Sequence, residues 1–296
     1  MARTGTSRRV LADGAVRFGL AVLAGIALAG LAAPWLGTVD PVWFDAVNMN
    51  KRPMEAVQFT LPDGREVART LWFGTDGFGR DVWSRVLYGA RVSLAVGAAV
   101  AVLALGIGTA LGLLAGWFRR VDGPLMRVMD GLMAIPGVLL AIALVAALQA
   151  SLATVVIAIA VPEIPRVTRL VRSLVLQLRE EPFVEAAVAL GTPGLRIMTG
   201  HILPNAVAPL IVQATYTAAS AILVEAILSF LGVGLPAEVP TWGNVMAEGR
   251  VQFNDLPHVV LIPGLFLALT VLAINLLGDG LRDTLDPKFA RRGGAR

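Results

Sequence analysis

The chain has 296 residues, 56% of them hydrophobic and 16% charged, with a mean hydropathy of +0.72. Soluble domains average about 45–50% apolar and about 25% charged residues, so this balance excludes an ordinary soluble globule and indicates a polytopic membrane protein. The absence of cysteine removes disulfides and Cys-ligated zinc or iron–sulfur chemistry, and the only two histidines, His201 and His258, are too far apart in sequence to suggest a His-built metal site.

Six apolar runs approach the ~20 residues a membrane-spanning helix needs. They cover Val16–Leu36, Val92–Trp117, Leu132–Leu148, Ser151–Leu170, Ala206–Leu231 and Val259–Leu277. Six spans leave both termini on one side. Seventeen of the 25 Lys and Arg residues fall on the side of the N-terminus, which by the positive-inside bias is the cytoplasm. That excess is spread over four cytoplasmic segments, so the basic pI of about 10.3 is no nucleic-acid footprint, which would form a patch or stripe on one soluble face. The first run is longer than the 7–15 residues of a signal-peptide core. Despite a weak A-x-A match at Ala27 and Ala29, it reads as an uncleaved anchor.

The polar stretch from Gly37 to Gly89 is expected outside, mostly as solvated linker, with a loop at "LPDGRE" and an amphipathic lead-in to the second span. Within the second span, Ala104, Gly108, Gly112 and Gly116 recur every four residues, a ladder that lets two helix backbones approach closely. Two carboxylates interrupt apolar sequence and are candidates for the pathway, because charge inside a bilayer is costly. Glu163 stands in "VPEIPR" between Pro162 and Pro165, where the span should kink or end, and Arg166 lies within reach three residues on. Glu225, in "ILVEAILSFLG", has no local partner and belongs to the outer half of the fifth span.

No G-x-x-x-x-G-K-[ST] loop is present; the only lysines, Lys51 and Lys288, do not follow glycine. No nucleophile–base constellation appears either, so energy for any chemical work must come from elsewhere.

Between the fourth and fifth spans lies "EEPFVEAAVALGTPGLRIMTGHILPN", residues 180–205. Pro182 suits a first helical position, with Glu180, Glu181 and Glu185 near that positive end. Gly191 is a natural helix stop, Thr192 a cap for a second helix opened by Pro193, and Pro204 its end. Each helix has about ten residues, too few to stand alone in water. Phe183, Ala187 and Leu190, widened by Val184, form an apolar stripe for the chain's own spans, for a partner, or for both.

The stretch "EAAVALGTPGLRIMTGHILP" resembles the EAA loop of ABC-importer permeases. Glu185, Ala186 and Ala187 match its E-A-A, Gly191 follows after three residues, and Leu203 and Pro204 take the L-P position. His201, in place of the usual Ile, gives the "HILPN" form of the dipeptide, oligopeptide and nickel subfamily. "FGTDGFGRDVWSRVLYGARVSL" (73–94), "LSFLGVGLPAEVPTWGNVMAEGR" (228–250) and "NLLGDGLRDTLDPK" (275–288) resemble further stretches of that subfamily, and the N-terminal anchor resembles its C-type subunit.

The resemblance implies an all-α polytopic fold with six transmembrane helices and a type I permease core. It implies three segments: an anchor and outer segment (1–90), the permease domain (91–288) and a basic cytoplasmic tail (289–296). It also implies ATPase coupling through Glu185, Ala186, Ala187, Gly191, Leu203 and Pro204. Glu225, Glu163, Trp242 and Asn275 are the pathway or gate candidates of this sequence, and Glu163 departs from the family pattern, which has a more neutral or aromatic residue there. Trp242 is equally suited to anchoring at the membrane interface. Asp279, Arg282 and Asp283 read as an ion-paired helix end. The implied partners are a second homologous permease, two cytoplasmic ATPases that hold ATP and Mg²⁺, an extracytoplasmic binding protein and membrane lipid. The implied cargo is a peptide or related small solute. A stand-alone ion- or proton-coupled transporter is the alternative, and it ordinarily carries a denser array of intramembrane acids.

Overall fold

The computed structural model describes residues 13–285, so the tail expected at 289–296 and the last residues of the 275–288 stretch lie outside it. Ten α-helices and one hairpin are described: α1 (Gly14–Leu31), β1 (Glu55–Thr60), β2 (Glu66–Leu71), α2 (Val82–Trp117), α3 (Arg119–Met133), α4 (Gly137–Leu148), α5 (Leu152–Leu178), α6 (Pro182–Ala189), α7 (Gly194–Ile197), α8 (Leu203–Phe230), α9 (Trp242–Gly249) and α10 (His258–Leu285). Side-chain oxygens start several of them. Asp13, Asp81, Ser151 and Thr241 each accept a hydrogen bond from a first-turn amide that the helix itself leaves unpaired.

The small-residue ladder of α2 is packed against α5. A methyl group at Gly108, Gly112 or Gly116 would sit 2.6, 2.5 and 2.5 Å from the Cβ atoms of Val167, Val171 and Val175. Two four-residue periods run in step, so α2 and α5 lie parallel and their backbones meet without side chains between them. Nearer the start of α2, Gly97 receives Ile222 of α8, which runs antiparallel. At the other edge α1 leans on α10, where a methyl at Gly19 would meet the Ala273 carbonyl at 2.6 Å.

By length and apolarity four described helical stretches are able to cross a bilayer: Gly14–Leu31, Val82–Trp117, Gly194–Phe230 and His258–Thr284. The third expected span, Leu132–Leu148, is not one straight helix. The chain breaks at Ala134–Pro136, leaving the amphipathic α3 and the twelve-residue α4 bent by 88° to each other. Pro136 disfavours helical geometry at Ile135, which explains the break. The fourth expected span is longer than anticipated. α5 continues through Pro162 and Pro165 to Leu178, and its arginines keep it out of the apolar class.

The solvated-linker expectation for 37–89 is overturned. β1 and β2 pair antiparallel, Glu55 opposite Leu71 and Thr60 opposite Glu66, around a turn with Gly64 at φ +80°. Phe59 and Leu71 are fully buried. Asp45 holds the hairpin down, accepting from the Thr60 amide (2.8 Å), the Val47 amide (3.0 Å) and the Asn48 side chain (2.8 Å), while Asn48 also donates to the Gln58 carbonyl (2.7 Å). Burial alone would raise the pKa of Asp45, but these hydrogen bonds outweigh it and hold the carboxyl below its ordinary value. The second span likewise begins ten residues early, at Val82, so the boundary anticipated at residue 90 falls inside α2.

Two outcomes test this packing. Gly112→Leu should destabilise the protein by about 1–3 kcal/mol through overpacking against Val171. Gly106→Leu, on the same helix with nothing within 4 Å of its added Cβ, should shift thermal unfolding by only about 0.5 kcal/mol. Because the folded pKa of Asp45 is depressed, its contribution is present above about pH 4 and is lost as pH falls through the folded value. Limited proteolysis should therefore cut the 45–71 segment faster on acidification below that point, and Asp45→Asn should remove the pH dependence.

Candidate coupling site

At the end of the bundle where α2 and α5 finish, α6 turns across the chain. Its eight residues bury Val184 and Ala187, 1% and 6% exposed, in a cluster with Val171 and Val175 of α5, Ile197, Ile202 and Ala206. Leu203 packs at the edge of the same cluster. Glu185, Ala186, Gly191 and Pro204 remain at the surface, and the predicted apolar stripe divides. Phe183, Val188 and Leu190 are exposed, Leu190 at 86%.

The end of α6 is fixed by backbone geometry. Gly191 sits at φ +74°, the Thr192 amide donates to Ala187 O (3.0 Å) and the Gly191 amide to Val188 O (2.9 Å). This is a Schellman end, and the left-handed residue it needs is why glycine stands there. The next constraint is steric. A methyl at Gly194 would meet Trp117 Nε1 at 2.6 Å, so the start of α7 rests on the indole at the end of α2. Arg179 clamps the same corner, with its guanidinium 5.4 Å from the Trp117 ring centre and Nη1 donating to Gly116 O (2.9 Å).

Two expectations for this segment are corrected. Thr192 makes no side-chain cap; Pro193 precedes α7 as its cap residue. Pro204 does not end the second helix. α7 passes through a wide turn at Met198–Ile202 into α8, and Pro204 occupies the first turn of that long helix. A proline there cannot donate to the carbonyl four residues back, and the local widening accommodates its ring. Asn205 Nδ2 donates to the His201 carbonyl (2.6 Å) in the same turn.

The four pathway candidates are not assembled into one site. Glu163 is 6% exposed, accepts from Arg166 as expected (2.8 Å), and also from Ser220 of α8 (3.1 Å). Glu225 is fully buried and accepts from Ser229 (2.8 Å) and from Ser93 of α2 (3.4 Å), partners that its own sequence neighbourhood only half reveals. Trp242 is neither an interfacial anchor nor a surface group. It is 0% exposed, its Nε1 donates to Val86 O (3.1 Å), and it packs with Val82, Ala90 and Phe266. Asn275 is half-buried in α10 and makes no side-chain hydrogen bond among the described residues. Asp279 accepts from Tyr216 (2.5 Å) and, among the described residues, forms no ion pair with Arg282, which corrects the ion-paired helix end.

Sequence reasoning missed a charged knot at the opposite end. Arg85, 1% exposed, and Arg80 both contact Asp76 (2.7 and 2.8 Å) and both contact Glu248 of α9. Beside it, burial pushes the pKa of Asp81 up, a rise that the Ser84 hydroxyl and Arg69 offset only in part. The knot joins the 73–94 stretch to the 228–250 stretch. The i,i+4 pair Asp76–Arg80 is the only part of it with a local signal.

Residues 108–291 match the family described as binding-protein-dependent transport system inner membrane components. The chain belongs to that family. A putative peptide transport system permease protein of Brucella abortus is 46% identical over 97% of this chain and 93% of its own length. A dipeptide transport system permease protein of Alkalihalophilus pseudofirmus is 50% identical over 74% of this chain and 72% of its own. A glutathione transport system permease protein of Pectobacterium atrosepticum is 41% identical over 93% and 87%. Among solved structures, an inward-facing MetNI methionine ABC transporter aligns with a TM-score of 0.55 at 19% identity, covering 68% of this chain and 96% of that one. That likeness is one of fold. The protein is therefore a multi-pass ABC-importer permease, of a family that works with ATPases and substrate-binding proteins.

The knot in this permease has a measurable weight. Glu248→Ala leaves Asp76 as the one carboxylate shared by Arg80 and Arg85 and should cost about 1.5–3 kcal/mol. An unchanged unfolding midpoint of the purified permease would show that the knot is not holding α9.

Proposed function

We propose that this permease is one of two homologous membrane subunits of a peptide importer, driven by ATP hydrolysed on two separate ATPase subunits. The naming of its relatives for peptide, dipeptide and glutathione transport supports a peptide or peptide-like cargo. Both termini lie in the cytoplasm, α3 and α4 form one broken span, and α5 is a charged span, which completes six. The chain itself catalyses nothing. ATP and Mg²⁺ belong to the ATPases, and an extracytoplasmic binding protein delivers the cargo.

The observation that carries this reading is the two-sidedness of α6. One face is locked into the bundle through Val184 and Ala187, while Phe183, Glu185 and Val188, and Leu190 just past the helix end, are exposed. An eight-residue helix is too short to persist on propensity alone. It is held as part of a lever, with the Schellman end, the Gly194–Trp117 contact and the unbroken passage into α8 joining it rigidly to both neighbouring spans. An ATPase groove that received the exposed face and moved on nucleotide binding would displace α5 and α8 together. Those two helices also carry Glu163, Ser220 and Glu225, so motion at the cytoplasmic tip reaches the membrane interior without passing through a flexible joint.

Leu190→Asp alters a side chain that the permease does not use for its own packing. It should leave membrane insertion and assembly with the second permease intact while lowering ATPase co-purification and uptake at least about tenfold, the effect of an unpaired charge in an apolar interface. Gly191→Asp should do the same, with an added backbone cost of about 1–2 kcal/mol at positive φ. Normal ATP-driven uptake by Leu190→Asp, or uptake by the permease without any ATPase, would overturn the assignment.

A further inference from the structure

α5 bears an i, i+3 ridge of charge that neither the coupling helix nor the outer knot explains: Glu163, Arg166, Arg169 and Arg172. Arg166 pairs with Glu163 on the same helix, Arg169 Nη2 donates to Asp130 (2.5 Å), and Arg172 makes a two-pronged pair with Asp122 (2.5 and 2.7 Å). Both aspartates belong to α3. The valine face of α5 is consumed by α2, yet the ridge is open: the Arg166 and Arg169 side chains are 55% and 44% exposed.

Depth makes this exposure informative. At 1.5 Å per residue, Glu163 lies about 16 Å and Arg169 about 26 Å along α5 from its first residue, within a hydrocarbon core about 30 Å thick. Exposed guanidinium groups at that depth do not face acyl chains; they face water or another polar surface. Arg127 of α3 adds a further cation without a carboxylate in ion-pair contact among the described residues, so four arginines stand against Asp122, Asp130 and Glu163. The local balance is positive. Half-exposed pairs such as Arg169–Asp130 are also weak, so their partners are readily exchanged.

We propose that this ridge lines a water-filled inner half of the translocation path and favours solutes carrying a carboxylate, with Arg166 and Arg169 exchanging their own carboxylate partners for that of the solute. The planar guanidinium fork suits a carboxylate in a way that a point charge does not. The inference rests on the importer reading above and adds where the path runs and which end of a zwitterionic peptide it holds.

The absence of native cysteine makes the test direct. Ser220 of α8 is half-buried beside Glu163 and its hydroxyl donates to that carboxylate (3.1 Å), so it shares the depth of Glu163 inside the core. Ser220→Cys is introduced into the complete transporter in inverted membrane vesicles. It is then treated from the cytoplasmic side with anionic sulfonatoethyl or cationic trimethylammonioethyl methanethiosulfonate. The expected modification rate is at least about tenfold above that of Val102→Cys, an apolar-stretch position on α2 that is 75% exposed. Adding Arg166→Gln should lower the anionic-to-cationic rate ratio about fivefold, as loss of the cation paired with the neighbouring Glu163 requires, and Arg166→Lys should retain the ratio. The proposal is overturned if Ser220→Cys reacts no faster than Val102→Cys, or if Arg166→Gln leaves the ratio unchanged. Neither result touches the coupling experiment on Leu190, so failure here and failure of the importer reading are separable.

Discussion

The contact of α2 with α5 sets the geometry of the rest. Glycines at 108, 112 and 116 let the two backbones close on Val167, Val171 and Val175, and no larger residue fits those places. In a bilayer the apolar effect between helices is weak, so close van der Waals contact supplies the association. Once these parallel helices are fixed, their C-terminal ends present Trp117 and Val175 side by side. That corner receives Gly194 and the buried face of α6.

α6 thus takes its position from the glycine ladder of α2. Its own sequence supplies only the start at Pro182 and the stop at Gly191. The tertiary contacts supply orientation, turning Val184 inward and Leu190 outward. The exposed face is therefore already organised, and an organised face lowers the entropic cost of any docking to it. At the opposite end the knot of Asp76, Arg80, Arg85 and Glu248 plays the same organising role with charge, tying α9 to the segment that leads into α2.

Much of this was legible in the residues. The apolar runs were readable because hydropathy adds along the chain, and the glycine stop was readable because positive φ excludes most side chains locally. What escaped depends on partners distant in sequence. Asp45 reaches Thr60, Asp76 reaches Arg85 and Glu248, and Trp242 reaches Val86. Without those partners the 37–89 stretch reads as a solvated linker and Trp242 as an interfacial anchor. Pro204 misled for a related reason: a proline is a stop signal only if the surrounding helix cannot widen, and here it does.

The sequence by itself determined that the chain is built largely of apolar membrane-spanning stretches, which motifs are missing and where the segment at 180–205 must turn. These are local or additive properties. The tertiary structure alone decided which charges are sheltered and which are open. Arg85 and Arg166 carry the same group in similarly amphipathic surroundings, yet one is sealed between two carboxylates while the other is half exposed on a membrane helix. Desolvation depends on what covers a side chain, and the covering residues come from elsewhere in the chain.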